Sequence, residues 1–168
     1  MNARPQAKLA MRPMLPDDVP LLGEIFRAAI EELTADDYSK AQQEAWVSAA
    51  DDEGEFGARL GSELTLVATY DGAAVGFASL ADNTRIDMLY VHPAASGQGA
   101  GAMLCDALEK LAAARGSKEL TVDASDSARG FFEKRGFSAQ SRNTVSLGGE
   151  WLANTNMKKP LTAGGGQP

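Results

Sequence analysis

The first third of the chain carries apolar residues three and four positions apart, the spacing of one face of a helix. The spacing is clearest at Leu22, Ile25, Phe26, Ala29, Ile30 and Leu33. It predicts a helix that begins after the turn Pro16-Asp17-Asp18 and ends near Leu33. A short strand at about 8–14 precedes this helix, and two shorter helices are predicted at about 39–50 and 53–60.

From residue 64 onward the pattern predicts strands. Segments 64–70 and 74–80 flank Asp71-Gly72, a pair that suits the positive φ angles of a tight hairpin turn. A third strand is predicted at 85–92, followed by a helix at 101–115 that ends at Gly116. A strand at 120–124, a short helix at 128–135 and two strands at 138–146 and 150–158 complete the pattern.

This order predicts an α/β (α+β) fold whose central sheet has about seven strands, mixed but mostly antiparallel, with helices on both faces. A length of 168 residues fits one domain, expected at 7–161. Residues 1–6 are expected to be a flexible N-terminus. Residues 162–168 are expected to form a disordered tail, because a glycine-rich end cannot bury apolar area.

Composition narrows the possible functions. With one cysteine, Cys105, and one histidine, the chain offers no internal disulfide and no Cys/His zinc site, so we expect a cytoplasmic protein without a metal. No segment has the apolar length of a membrane span or signal peptide. The net charge of -7 disfavours nucleic acid and favours cationic partners.

A glycine-rich segment at 97–102 lies between a predicted strand and a predicted helix. Residues without side chains let backbone N–H groups approach a phosphate, and a helix N-terminus adds a positive dipole end. A tight turn without a ligand is the alternative. The pattern Gly97-x-Gly99-x-x-Ala102 followed by Asp123 also matches a dinucleotide-binding motif. That motif fits poorly here, because residues 92–96 separate the glycines from the strand and a hairpin precedes it.

Two motifs in order resemble the GNAT superfamily of N-acetyltransferases. The first is Val91-His92-Pro93 followed by Ser96-Gly97-Gln98-Gly99-Ala100-Gly101, and the second is Val122-Asp123-Ala124-Ser125 followed by the helix that ends in Phe131-Phe132-Glu133-Lys134-Arg135-Gly136-Phe137. The resemblance covers about residues 7–160. Small stand-alone bacterial acetyltransferases are the members that the chain looks most like.

The resemblance implies a site for acetyl-CoA where two strands of the sheet splay apart. Backbone groups of Leu89, Tyr90 and Val91 would pair with the pantetheine arm, and Asp126 and Phe132 would flank its thiol end. The pyrophosphate would lie against Ser96, Gly97, Gln98, Gly99, Ala100, Gly101 and Ala102. Two residues depart from the family pattern: Ser96 replaces an arginine or glutamine, and Phe132 replaces the tyrosine that protonates the departing thiolate in many members.

Acetyl transfer to an amine requires a group that removes a proton from the ammonium. Asp87 and Asp123 are the candidates, because each lies in an otherwise apolar strand and buried carboxylates need a partner or a purpose. The alternative for Asp87 is that it pairs with Arg85 or with a backbone amide and organises the sheet. Tyr90 is the candidate proton donor that would replace the missing tyrosine. His92 could be a base by side-chain type, but a histidine in a turn of this kind more often caps the turn or packs, so the aspartates are preferred.

Other residues have more ordinary expected roles. Cys105 is expected to be a small buried hydrophobe. The aromatic residues Tyr38 and Trp46 lie in the helical region that commonly covers the acceptor site in this superfamily, so they are candidates for the substrate pocket, with core packing as the alternative.

The sequence therefore predicts an acetyl-CoA-dependent N-acetyltransferase that acts on a primary amine of a small molecule or peptide by direct attack in a ternary complex. A catalytically inactive acyl-CoA-binding sensor or partner-binding module is the alternative, because Phe132 lacks the hydroxyl. The identity of the amine, a preference for another acyl-CoA and the formation of a homodimer stay open.

Overall fold

The polypeptide forms one seven-stranded sheet with helices on both faces, in a computed structural model that describes residues 8–162. The strands are β1 (Leu9–Pro13), β2 (Leu64–Tyr70), β3 (Ala73–Ala81), β4 (Arg85–Val91), β5 (Glu119–Ser125), β6 (Ser138–Leu147) and β7 (Glu150–Pro160). Their order across the sheet is β1-β2-β3-β4-β5-β7-β6. All neighbours are antiparallel except β4 and β5, which are parallel. The predicted fold class is confirmed.

Five α-helices cover the two faces of this sheet. They are α1 (Val19–Leu33), α2 (Lys40–Val47), α3 (Glu53–Gly61), α4 (Ala100–Ala114) and α5 (Arg129–Lys134). Helices α1 and α3 bury Leu22, Phe26 and Phe56 in one core, whereas Leu104 and Leu108 of α4 belong to the core on the opposite face. None of the helices in residues 8–162 combines the length and apolarity that a membrane crossing requires.

Element boundaries differ from the predicted ones by a few residues. Helix α4 begins at Ala100 because Gly99 takes a φ of 93°, so the chain enters the helix one residue earlier than predicted. The hairpin between β2 and β3 turns at Asp71 and Gly72 with φ angles of 51° and 87°, as predicted. The expectations for residues 1–6 and 163–168 lie outside the described residues.

The parallel pairing of β4 with β5 ends after two residue pairs, Arg85 with Thr121 and Ile86 with Val122. On its other side β4 is interrupted by a β-bulge, because Met88 pairs with Ser79 while Ile86 pairs with Leu80, so Asp87 is the extra residue. A bulge bends its strand and increases the local twist. Strands β4 and β5 consequently separate beyond this point, as the resemblance predicts.

Tyr38, in the turn between α1 and α2, connects the helical layer to the far half of the sheet. Its hydroxyl donates a hydrogen bond to the carbonyl oxygen of Ala153 on β7 at 2.6 Å and accepts one from the N–H of Asp126 at 2.9 Å. The side chain is buried, and its ring packs edge-on against Trp46 with centroids 5.3 Å apart. Tyr38 therefore fixes the distance between α2 and the end of β5.

We predict that Tyr38→Phe lowers the free energy of unfolding by about 1–3 kcal/mol, because a carbonyl and an N–H lose their shared partner. Urea unfolding followed by circular dichroism measures the change. Tyr70→Phe is the matched control, since the Tyr70 hydroxyl makes no side-chain hydrogen bond within residues 8–162. Equal stability of the two variants would contradict the bridging role.

Candidate active site

A cavity of about 380 Å³ opens where β4 and β5 separate. Its walls come from these two strands, from α1 and the region around α2, and from the β6–β7 hairpin. Seven of the residues singled out from the sequence line it: Tyr38, Trp46, Asp87, Leu89, Tyr90, Asp123 and Phe132. The fold thus brings together residues that are up to 94 positions apart along the chain, from Tyr38 to Phe132.

The glycine segment lies outside the cavity lining but next to the end of β4. Gly97 and Gly99 have φ angles of 80° and 93°, a backbone region that L side chains rarely adopt. A Cβ placed on Gly101 would lie 3.5 Å from the Phe131 ring and 3.8 Å from Val91 Cγ2. The N-terminus of α4 is therefore beside both Val91 and α5. Assignment of this segment to a pyrophosphate stays a prediction.

Asp87 is held by two arginines. Arg59 of α3 donates from Nε at 2.8 Å and from Nη2 at 2.9 Å, and Arg85 donates from Nη1 at 2.8 Å. Burial alone would raise the pKa of Asp87, but the hydrogen bonds outweigh it and lower the pKa to about 2. A carboxylate held in this way is a weak base at neutral pH. The structure thus favours an organising role for Asp87, the alternative weighed from the sequence.

Glu63, which precedes β2, is a titratable neighbour of Asp87 that the sequence patterns did not single out. Burial is the main cause that raises the pKa of Glu63 from 4.5 to about 7, and the neighbouring carboxylate of Asp87 contributes to the same rise. Its Oε1 is buried and has no hydrogen-bond partner among the described residues. A glutamate at the start of a strand gave no periodic or motif signal, so its position beside Asp87 in the fold is what identifies it.

Asp123 lies on the opposite wall from Asp87. Its neighbours Val122 and Ala124 are buried in the core under α4, so the side chain of Asp123 is on the other face of β5, where it is exposed. Asn156 of β7 is directly opposite and donates from Nδ2 to Asp123 Oδ1 at 2.9 Å. Asp123 therefore keeps acceptor capacity toward the cavity, and of the two aspartates it has the better geometry for a base.

Tyr90 and Phe132 lie on opposite sides of the same gap. The Tyr90 ring packs edge-on against Phe26 with centroids 4.9 Å apart, and burial raises the pKa of its hydroxyl to about 12. Tyr90 is therefore protonated at neutral pH, as a proton donor must be. Phe132 is buried between Phe131 and Phe137 with ring centroids 5.1 and 5.2 Å away, and it offers no hydroxyl to the cavity.

The remaining candidates have structural partners. Asp126 forms a bidentate ion pair with Arg142 of β6, with two hydrogen bonds of 2.9 Å, and these hydrogen bonds lower the pKa of Asp126. His92 Nδ1 accepts the N–H of Ala94 at 3.1 Å, so His92 caps its turn. Cys105 is fully buried, its thiol donates to Glu109 at 3.4 Å, and burial is the main cause that raises its pKa to about 12.

Comparison with known proteins gives matches of sequence and of structure. Residues 34–161 match a family model described as an acetyltransferase (GNAT) domain. The chain is 33% identical over 150 residues to YafP of Escherichia coli strain K12, described as an uncharacterized N-acetyltransferase, and the match covers 89% of this chain and 95% of YafP.

Two solved structures extend the similarity. A GCN5-related N-acetyltransferase from Rhodopseudomonas palustris is 59% identical with a TM-score of 0.91, and the match covers 95% of this chain and all of that one. The PaiA N-acetyltransferase of Thermoplasma acidophilum, solved in complex with coenzyme A, is 21% identical with a TM-score of 0.75, over 91% of this chain and 99% of that one. At 21% identity the second likeness shows a shared fold.

We predict that Glu63→Gln flattens the dependence of stability on pH between about 4.5 and 7. In this window folded Glu63 holds a proton that the unfolded chain releases, so the free energy of unfolding of the parent falls as pH rises. The side chain of glutamine does not titrate in this range. Asp87, whose pKa is lowered from 3.8 to about 2, contributes its full stability throughout this range and loses it only as pH falls from about 3.8 toward 2, so it does not affect the slope.

Melting temperatures of the parent and the variant at pH 5 and pH 8 test this prediction. From pH 5 to pH 8 the melting temperature of the parent should fall by more than that of Glu63→Gln. The control Glu55→Gln changes an exposed glutamate of α3, and its melting temperature should fall as much as that of the parent. Parallel pH slopes for the parent and Glu63→Gln would exclude the raised pKa.

Proposed function

The chain belongs to the GNAT acetyltransferase family, and on this premise we propose that it transfers the acetyl group of acetyl-CoA to a primary amine of a small molecule or peptide. The observation that carries the proposal is the separation of β4 from β5 after two residue pairs, with a cavity at the point of separation. The amine attacks the thioester directly in a ternary complex, without an acetylated enzyme.

The gap offers the cosubstrate both backbone groups and apolar surface. Beyond Ile86 no ladder pair joins β4 to β5 within residues 8–162, so backbone groups of Leu89, Tyr90 and Val91 on that side are available to the amides of a pantetheine arm. The start of α4 lies beside Val91, where the N–H groups of Ala100, Gly101 and Ala102 have no partner within the helix. These groups would hold the pyrophosphate.

Asp123 is the proton acceptor that we favour. An ammonium of the acceptor loses one proton to the carboxylate of Asp123, directly or through one water, and its nitrogen then forms the bond to the acetyl carbon. Hydrogen bonding by Asn156 at 2.9 Å orients the carboxylate. Asp87 remains a site residue in this proposal, but its role is to keep the bulge of β4 in place through Arg59.

Tyr90 is the proton donor that we favour for the leaving thiolate. The bond between sulfur and the acetyl carbon breaks as the amide forms, and the sulfur takes a proton to leave as free coenzyme A. Tyr90 lines the cavity and is protonated at neutral pH. The family's tyrosine position is occupied by buried Phe132, and this single observation supports the second candidate, a binding module without turnover.

We predict that Ala102→Glu weakens coenzyme A binding by more than about tenfold, which is about 1.4 kcal/mol. Ala102 is the third residue of α4, where a glutamate suits the helix dipole but repels a phosphate. The helix should therefore form normally. Ala102→Gln is the matched control, with the same size and no charge. Isothermal titration calorimetry with coenzyme A measures the affinity of each variant. Equal affinities of Ala102→Glu and Ala102→Gln would contradict the assignment of the pyrophosphate to the N-terminus of this helix.

We predict that Asp123→Asn lowers kcat by about 10²- to 10⁴-fold while the affinity for acetyl-CoA changes little, because asparagine cannot take a proton. The loss should shrink as pH approaches the pKa of the acceptor amine, since the free amine then needs no base. Release of free thiol from an accepted amine measures the rate. Asp17→Asn, at an exposed position, is the control. A uniform loss at all pH values would point to a structural role instead.

A further inference from the structure

The acceptor side of the cavity has mainly aromatic and aliphatic walls. Phe26 comes from α1, Trp46 from α2 and Tyr90 from β4, and the β6–β7 hairpin contributes Val145, Leu147 and Leu152. Trp46 and Tyr90 are half-buried, so each keeps part of its ring surface open. Apolar surface of this kind stabilises a bound group by about 25 cal/mol for each Å² that leaves water. These walls suit an apolar group next to the reacting nitrogen.

The helical wall and the hairpin wall are joined to each other. The Tyr38 hydroxyl donates a hydrogen bond to the carbonyl oxygen of Ala153, and Gln42 Nε2 donates one to the carbonyl oxygen of Trp151 at 2.7 Å. Gly148, in the turn of the hairpin, packs so closely on α2 that an added Cβ would lie 3.1 Å from Ala45 Cβ. The α2 region and the hairpin therefore close one side of the cavity, and on that side no groove remains along which a polypeptide could extend.

The charges in the lining fit one ammonium group. The lining contains two arginines and two aspartates. Arg59 and Arg85 both bind Asp87, so Asp123 is the carboxylate of the lining that has no ion pair among the described residues. A second ammonium on the acceptor would meet the arginines and no free carboxylate. Long diamines and polyamines are therefore disfavoured.

We propose that the acceptor is a compact primary monoamine whose amino group is attached through a short chain to an aromatic or bulky apolar group. This inference rests on the proposed function and adds the class of substrate. The apolar group lies against Trp46 and the hairpin residues, and the amino group lies between Asp123 and the thioester. A cavity of about 380 Å³ that also takes the acetyl end of the cosubstrate leaves room for a group of this size.

The test compares 2-phenylethylamine with putrescine and with a short lysine-containing peptide, by release of free thiol from acetyl-CoA. We expect kcat/KM for 2-phenylethylamine to exceed each of the others by at least tenfold. A higher value for putrescine or the peptide overturns the inference. If that result comes with saturable coenzyme A binding, the transferase function stands; if the parent binds no coenzyme A and turns over no amine, the proposed function and this inference fail together.

The two tryptophans of the chain provide a matched pair of variants. Trp46 lines the cavity, whereas Trp151 is 65% exposed and outside the lining. Trp46→Ala should lower kcat/KM for 2-phenylethylamine by at least tenfold with unchanged affinity for coenzyme A, and Trp151→Ala should leave both unchanged. Equal effects of the two substitutions overturn the assignment of Trp46.

Binding can also be measured without turnover. In Trp151→Phe, Trp46 is the remaining tryptophan, and coenzyme A without an acetyl group allows an unreactive ternary complex. We expect 2-phenylethylamine to change the Trp46 fluorescence saturably, and putrescine at the same concentration to leave it unchanged. A fluorescence that does not respond to 2-phenylethylamine, or that responds equally to both amines, contradicts the inference even if Trp46→Ala cannot be folded.

Discussion

The parallel ladder between β4 and β5 ends after two residue pairs, and the rest of the site depends on this interruption. A continued ladder would join Leu89 to β5 and fill the space that the cavity occupies. The extra residue at Asp87 stops it, because a bulge turns the strand away from its neighbour. Backbone groups that lose a strand partner need another one, and in the proposed function the amide groups of an extended ligand would provide it.

The bulge is maintained by charge. Asp87 would be costly to place in a largely apolar strand, but Arg59 from α3 and Arg85 from β4 both bind it. Glu63 beside it keeps its proton up to about neutral pH, so the cluster carries two positive charges and one negative charge below that pH. Asp87 thus stabilises the bulge of β4, whereas Asp123 on the facing strand is the aspartate that we propose interacts with an acceptor.

Local patterns were sufficient to predict the elements and the cofactor motifs. The spacing of apolar residues in α1, the Asp71-Gly72 turn and the glycines before α4 each act within a few residues, so a single sequence reveals them. The partners of the site residues act over longer distances. Arg59 is 28 residues from Asp87, and Tyr38 is 115 residues from Ala153, and no periodicity connects such pairs. From the sequence alone both Asp87 and Asp123 are therefore candidate bases, with Asp87 slightly preferred, and Arg85 is a foreseeable partner of Asp87 whereas Arg59 is not.

The buried thiol of Cys105 has a consequence for how the protein responds to oxidants. Peroxides and disulfides react with an exposed thiolate. Cys105 is fully buried and its pKa is raised to about 12, so at physiological pH almost none of it is in the reactive form. Cys105 is the one cysteine of the chain, so we expect its thiol to stay reduced when the surroundings become more oxidising. Acetyl transfer by this protein is expected to continue through oxidative stress that would inactivate an enzyme with an accessible cysteine.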